Sequence, residues 1–415
     1  MSVFCVILLH SLETIHFLVE FIRIFYYYSA PWYYITMTDL TRIKLANIFF
    51  SARFWVATMV LYLTSRDIPT AYVFQLIGFY YVMSVLLEYP TGVIGDYYSH
   101  RLSVFWGYII LAISYVLLSF SGGILFYGVT LFLLALGGSL VSGSDNALLY
   151  TASNNFKKDF SQVKTYGIII TFIAVSIGGF VSAIDLRIPL YLTAIFLIWA
   201  AILVIATKIK AKGKTDGANI FSFGKEGIKH LFRSKQLLNI MIVSALVGAF
   251  FFSFKWLYNP LFLELELNVA SWGILIGIAT LLIAGGVKFY EKFSRLNIVL
   301  MALVLIGSVL VIGITLPAVA LFGMFISHFM RGYLETKLTV DMNEAITESV
   351  RSSILSLKSL IIRTGAVIFM SVSGFLLDKT SIAIIMFASV LAFIVVGGYP
   401  LYRIMKFEKK QIVIS

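Results

Sequence analysis

Glu88-Tyr89-Pro90-Thr91-Gly92-Val93-Ile94-Gly95-Asp96-Tyr97-Tyr98-Ser99-His100-Arg101 is the stretch on which the reading of this chain turns. The apolar run 71–94 ends in it, and an acid, Asp96, and a base, Arg101, follow two glycines, Gly92 and Gly95. This spacing predicts a tight turn between two apolar segments, which is either an ordinary polar loop or a hinge about which the segments move.

Outward from that turn, the chain is 60% hydrophobic and 13% charged, with a mean hydropathy of +0.95. Those values lie far from the composition of soluble domains and identify a membrane protein. Its 415 residues accommodate about a dozen spans of ~20 residues with short loops. A single cysteine, Cys5, excludes disulfides within the chain and cysteine-based metal sites, and the five histidines are scattered without ligand spacing. No cofactor is expected. The net charge of +12 sits in short segments between apolar runs rather than on a polar face, so nucleic acid is not expected as a partner.

The apolar runs are 46–64, 71–94, 103–120, 124–150, 166–184, 188–207, 237–262, 269–289, 296–315, 317–338, 354–377 and 381–402. Lys and Arg collect in alternate intervals, at Arg42 and Lys44, Arg101, Lys157 to Lys164, Lys208 to Lys235, Lys288 to Arg295, Arg351, and Arg403 to Lys410. The intervening loops hold little beyond Arg66, Arg187 and Lys379. By the positive-inside rule both ends of a twelve-span core are cytoplasmic, in an inner or plasma membrane.

The polar interval 208–236 divides the chain into halves, 37–207 and 237–403, with a tail at 404–415. Gly92 and Arg101 recur as Gly286 and Arg295, and Asp96 recurs one place displaced as Glu291. At nearly the same offset Ser176-Ile177-Gly178-Gly179-Phe180 matches Ser371-Val372-Ser373-Gly374-Phe375. Several matches near one offset point to an internal repeat of six spans.

Two parallel six-helix halves, a basic linker and the G-x-x-x-D turn with its His-Arg cluster resemble the major facilitator superfamily, over 39–410. The E-x-P-T at Glu88–Thr91 resembles its bacterial drug-efflux-like branch, and Ser142–Tyr150 and Val350–Leu357 resemble the end of helix four and the start of helix eleven. The resemblance implies an all-α membrane protein of twelve helices in two pseudo-symmetric bundles. It implies a monomeric secondary transporter that moves a small molecule by alternating access. Two family features are missing: 131–141 holds no Arg in the middle of helix four, and helix five has Gly167, Gly178 and Gly179 but no Gly-Pro pair. Proton coupling is therefore an expectation from the family alone.

A charge at the bilayer centre costs at least about 2.5–3.5 kcal/mol on insertion scales, so charges inside apolar runs need partners or a wet cavity. Arg53, Glu88 and Asp145 all lie ~10 Å below the cytoplasmic surface at the rise of an α-helix. Because helices one and four line the cavity in the family, Arg53 and Asp145 are expected to pair, with Glu88 nearby. Either one of the two acids takes up the coupling proton, or the cluster is a static ion pair holding the first half together. In the second half Arg363 lies deepest, and either attracts an anionic substrate group or pairs with Glu335. Arg331 lies in helix ten, and Lys255 is expected to snorkel outward. Phe254, Trp256 and Tyr258 in helix seven are candidate cavity aromatics, or members of an interfacial belt. The family likeness also implies that Asp96, held by Arg101, docks on the start of helix eleven beside Arg351 in the outward-open state, with Gly92 permitting the close approach.

Residues 1–36 do not fit the twelve-span plan. They are expected to be outside the native start at Met37 or to form an interfacial helix. The cargo expected first is a hydrophobic or amphipathic compound exported by an ion-coupled cycle. Uptake of a small metabolite is the alternative within the class, and a non-transporting polytopic protein the alternative outside it. No cluster of acid, base and nucleophile suggests an enzyme, and no Walker A motif suggests ATP hydrolysis by this chain.

Overall fold

Long apolar runs in a bilayer leave backbone groups no partner except each other, and helices are the simplest solution. The computed structural model describes 37–120, 122–209, 231–314, 316–346 and 351–414, and all regular elements among those residues are helical. Residues 1–36 and most of the linker lie outside the described residues, as do the side chains of Asp96 and Arg351.

The elements are α1 (Asp39–Phe50), a 3-10 turn (Phe54–Ala57), α2 (Met59–Thr64), α3 (Thr70–Tyr97), α4 (His100–Leu118), α5 (Ile124–Val141), α6 (Ser144–Ala152) and α7 (Phe156–Ser182). They continue as α8 (Ile188–Ile205), α9 (Lys235–Glu264), α10 (Val269–Phe293), α11 (Ile298–Ile312), α12 (Pro317–Glu344), α13 (Arg351–Leu377) and α14 (Ile382–Ile414). Several begin with a side chain accepting from an unpaired first-turn N–H: Thr38, Asn155, Ser234, Asn268 and Asn297. Nine helices among the described residues are long and apolar enough to cross a membrane. The other three intervals read as spans are built differently: 46–64 is broken into the end of α1, the 3-10 turn and α2, α11 is a shorter apolar helix, and α12 carries His328, Arg331, Glu335, Lys337 and Asp341.

Two local expectations need correction. The tight turn shrinks to Tyr98 and Ser99, because α3 continues as helix through Pro90 to Tyr97. Proline removes one ladder donor there, and the Thr91 hydroxyl donates to the Leu87 carbonyl at 2.7 Å. The tail expected at 404–415 continues α14 to Ile414.

The helix ends that carry the basic loops share one face of the molecule, here the basic face. Arg42 donates to the Ala206 carbonyl, Asp39 accepts from Lys208 N, and Arg101 donates to the Thr207 carbonyl, so the ends of α1, α4 and α8 meet there. On the opposite face Asp378 of α13 accepts from Ala71 N of α3, and Glu264 of α9 accepts from Ile382 N of α14.

The helices before and after the linker form two sets that meet along α3 with α13 and α7 with α10. Both seams depend on missing side chains. A Cβ on Gly179 would lie 2.6 Å from Gly273 N, and one on Gly374 would lie 2.5 Å from the Phe74 Cβ. Gly179 and Gly374 hold matching places in the sequence repeat, so the repeat carries the helix contact that joins the sets. Both contacts lie toward the opposite face, where Asn259 of α9 also accepts from Leu61 N at 2.8 Å and donates to the Ala57 carbonyl at 2.8 Å. Toward the basic face nothing among the described residues lies within 4 Å of a Cβ placed on Gly92. The glycine and Asn259 contacts that join the sets gather toward the opposite face, and the Glu88–Arg363 pair joins α3 to α13 nearer the basic one.

Candidate substrate site

The site begins with two broken helices. In the first apolar run α1 ends at Phe50, and the chain passes through Ser51 to Arg53 before the 3-10 turn. Breaking a helix at this depth frees backbone groups that must find partners. Thr171 of α7 donates to the Ser51 carbonyl at 2.8 Å, and the Ser51 hydroxyl donates to the Asn47 carbonyl. α7 comes close enough because Gly167 and Gly178 face the break; a Cβ on Gly178 would lie 2.0 Å from the Phe54 carbonyl oxygen. Arg53 therefore leaves the helix line and is exposed, with its guanidinium 5.1 Å from the Phe50 ring centre.

The second break separates α5 from α6 at Gly143, whose φ of +80° belongs to the left-handed region that glycine tolerates. Asp145 then sits in the first turn of α6, and its carboxylate accepts from Asn146 N at 2.7 Å. This corrects the expected Arg53–Asp145 pair. The Asp145 carboxylate is used on unpaired N–H groups at the new helix start, where an acid is favoured.

Glu88 is also placed differently. It pairs with Arg363 of α13 at 2.9 Å, across the two sets, rather than with Arg53. Arg363 thus finds Glu88 instead of Glu335, and Glu335 pairs with Arg331 one turn away on α12 at 3.0 Å. The i, i+4 spacing makes that second pair local. Lys255 does not reach outward: its ammonium lies 4.9 Å, 5.2 Å and 5.5 Å from the ring centres of Phe252, Trp256 and Tyr81, the last on the other set.

These rings form a floor between the cavity and the opposite face. Trp55 and Trp256 stack with centres 5.8 Å apart and planes within 19°, and Trp256 Nε1 donates to the Tyr81 hydroxyl at 3.2 Å. Tyr81 is 4.6 Å from Phe252, and Tyr80 and Tyr115 extend the group. Of the expected cavity aromatics, Trp256 lies in this floor. Phe254 and Tyr258 face into the second set, where the Tyr258 hydroxyl contacts Nε2 of buried His328 and His328 Nδ1 lies 2.8 Å from the Met324 carbonyl. Sequence reasoning included Phe252 among the helix-seven aromatics but missed Trp55, Tyr80, Tyr81 and His328; only their position inside apolar runs marked them, and dozens of other aromatics share it.

The expected docking cluster is placed in part. Arg101 reaches the end of α8 rather than standing free, a favourable place for a cation. The glycine in close contact is Gly95, not Gly92: a Cβ on Gly95 would lie 2.7 Å from the Ser144 hydroxyl of α6. In the repeat, Gly286 does meet a helix closely: a Cβ there would lie 2.0 Å from the Phe329 carbonyl oxygen. Separately, an apolar cavity of about 630 Å³ opens between α9, α11, α13 and α14, lined among others by Met241, Phe250, Val309 and Phe393.

Comparison with known structures places this architecture. The chain superposes on the nucleoside transporter NupG with a TM-score of 0.72 at 16% identity, covering 89% of this chain and 99% of that one. The fold is that of the major-facilitator-type transporters. A bacterial homologue of the human lysosomal transporter Spinster, in an inward-facing and unoccupied conformation, matches with a TM-score of 0.70 at 12% identity, over 89% and 97% of the two chains. A POT family transporter in complex with a thioalcohol-conjugated peptide matches at 0.66 and 13% identity, over 89% and 96%. In sequence, an uncharacterized MFS-type transporter, YxaM of Bacillus subtilis (strain 168), is 19% identical over 248 residues. That match covers 57% of this chain and less than two thirds of the relative, at 62%. No family model matches the chain. Within the major facilitator fold, the Glu88–Arg363 pair and the contacts of Trp256 with Trp55 and Tyr81 lie between the two sets of helices, and the Gly143 break lies within the first.

Proposed function

We propose that this protein is a secondary transporter of the major facilitator type that carries a small molecule between the two sets of helices by alternating access. The observation that carries the proposal is the convergence of Arg53, Glu88, Lys255 and Arg363 from four helices on the space between the sets. The Asn259 and tryptophan contacts and the Glu88–Arg363 pair link the two sets around these residues, and a Cβ on Gly92 meets nothing within 4 Å among the described residues. Charged residues at bilayer depth that face such a cavity mark a transport pathway.

The arrangement we infer has twelve crossings, with bundles 37–207 and 237–403, linker 208–236, and the basic face in the cytoplasm of an inner or plasma membrane. The broken 46–64 run, α11 and α12 supply the crossings beyond the nine long apolar helices. In this arrangement the conformation opens inward, and the protein works as a monomer. Asp96 would dock at the start of α13 when the cycle turns outward, supported by the helix dipole there. Proton-coupled export of an amphipathic compound is the first reading, and uptake of a small metabolite the second. The second draws support from the nucleoside transporter among the similar structures.

Proteoliposomes with an imposed pH gradient and a compound panel test the proposal. Gradient-driven accumulation of at least one compound is expected. The direction relative to protons separates export from uptake, and no flux across the panel together with a fixed conformation would contradict transport.

A further inference from the structure

The cations Arg53, Lys255, Arg331 and Arg363 are not alike. Arg331 and Arg363 each hold a carboxylate, from Glu335 and Glu88. Arg53 and Lys255 hold none among the described residues; each is given ring faces instead, Phe50 for Arg53 and Phe252, Trp256 and Tyr81 for Lys255. The acid nearest in sequence expectation, Asp145, is used at the start of α6. Trp55, two residues after Arg53, stacks on Trp256, against which Lys255 also lies, so the two cations flank one pair of rings. Ring faces attract a cation less than a carboxylate does, so a pair of cations left on rings in a low-dielectric site favours an incoming negative group. Trp55 also lies against Tyr115, with ring centres 6.0 Å apart.

We propose that the site takes a small organic anion with a flat apolar body, its negative group held by Arg53 and Lys255 and its body resting on the floor of Trp55, Tyr81 and Trp256. This rests on the transporter reading and narrows its substrate class. The negative group supplies the counter-charge that neither cation finds in a carboxylate among the described residues. Stacked rings with planes within 19° present a flat surface that suits another ring. Arg53 comes from the first set and Lys255 from the second, so an anion bridging them would link the two sets and couple occupancy to their relative position. Glu88 and Glu335, already paired, do not compete for the bound anion's partners.

The test is binding to the full-length protein in nanodiscs of uncharged phosphatidylcholine. Three probes share one ring system: naphthalene-2-carboxylate, the neutral naphthalene-2-carboxamide and the cationic 2-naphthylmethylammonium. The carboxylate should bind about tenfold or more tightly than the amide, the scale of a charge-assisted contact, and the ammonium most weakly. Arg53→Gln and Lys255→Gln should each lower carboxylate affinity several-fold, and the double variant should erase the preference while amide affinity holds. Arg53→Lys and Lys255→Arg, which keep the charges, should retain it. Equal affinities for carboxylate and amide, a preference surviving the double variant, or no binding by any probe overturns the proposal. Alternation of the two faces, measured by distance without any probe, tests the transporter reading separately. A failed panel beside intact alternation removes only the anion assignment.

Discussion

Two glycines three places apart make opposite predictions. Gly95 packs against the Ser144 hydroxyl, so Gly95→Ala forces overpacking and should cost about 1–3 kcal/mol, read as a lower thermal midpoint in detergent. A Cβ on Gly92 meets nothing within 4 Å among the described residues, so Gly92→Ala should leave the midpoint unchanged or raise it slightly, since alanine favours helix by ~1 kcal/mol over glycine. If Gly92→Ala also impairs flux, the close approach belongs to another conformation, as the Asp96 docking proposal requires. Glu88 and Arg363 make the second residue-scale prediction. Each single change to Gln should weaken the link between α3 and α13, while the exchange of Glu88 to Arg with Arg363 to Glu should recover part of it; a double-mutant cycle without coupling would count against the pair. The sequence placed Arg53, Glu88, Asp145 and Arg363 as charges inside apolar runs in need of partners or a wet cavity, but not which partner each finds. Glu88 and Arg363 are far apart in the chain, and nothing in either segment encodes their meeting. Asp145 satisfies its need locally, at a helix start visible only once Gly143 is known to break the helix.

At the scale of elements, the two broken helices differ in how far they could be read. Gly143 was visible as a glycine, and its φ of +80° predicts that Gly143→Ala costs about 1–2 kcal/mol through left-handed strain, measurable by thermal unfolding. The break at Ser51–Arg53 was hidden, because Ser-Ala-Arg contains no helix breaker and the 46–64 run reads as one span. Its cause lies more than a hundred residues away, in Gly167, Thr171 and Gly178 of α7. Thr171→Val keeps the shape but removes the bond to the Ser51 carbonyl, and should cost about 1–3 kcal/mol with weaker cargo binding as Arg53 loses its position. Unchanged stability in that variant would show that the break is held by other contacts. The long apolar helices were legible almost throughout. The ends were less so, since α3 and α14 run as helix past the turn and tail that polarity suggested.

For the whole molecule, the repeat was the most informative sequence signal, because its matching Gly179 and Gly374 make the contacts that join the sets. The sequence could not show toward which face the contacts between the sets gather, as that depends on the relative position of the sets rather than on either one. The central claim is that the sets rock, opening one face as the other closes. The most direct measurement uses two spin-label pairs in a Cys5→Ser background: Asp67 with Ser381 on the opposite face, and Tyr150 with Glu344 on the basic face. Without ligand, the first distance should be mainly short and the second mainly long. Glu88→Gln, by removing the link to Arg363, should lengthen the first population and shorten the second together. Distributions that stay fixed in both pairs, or that shift on one face while the other does not respond, would contradict alternating access.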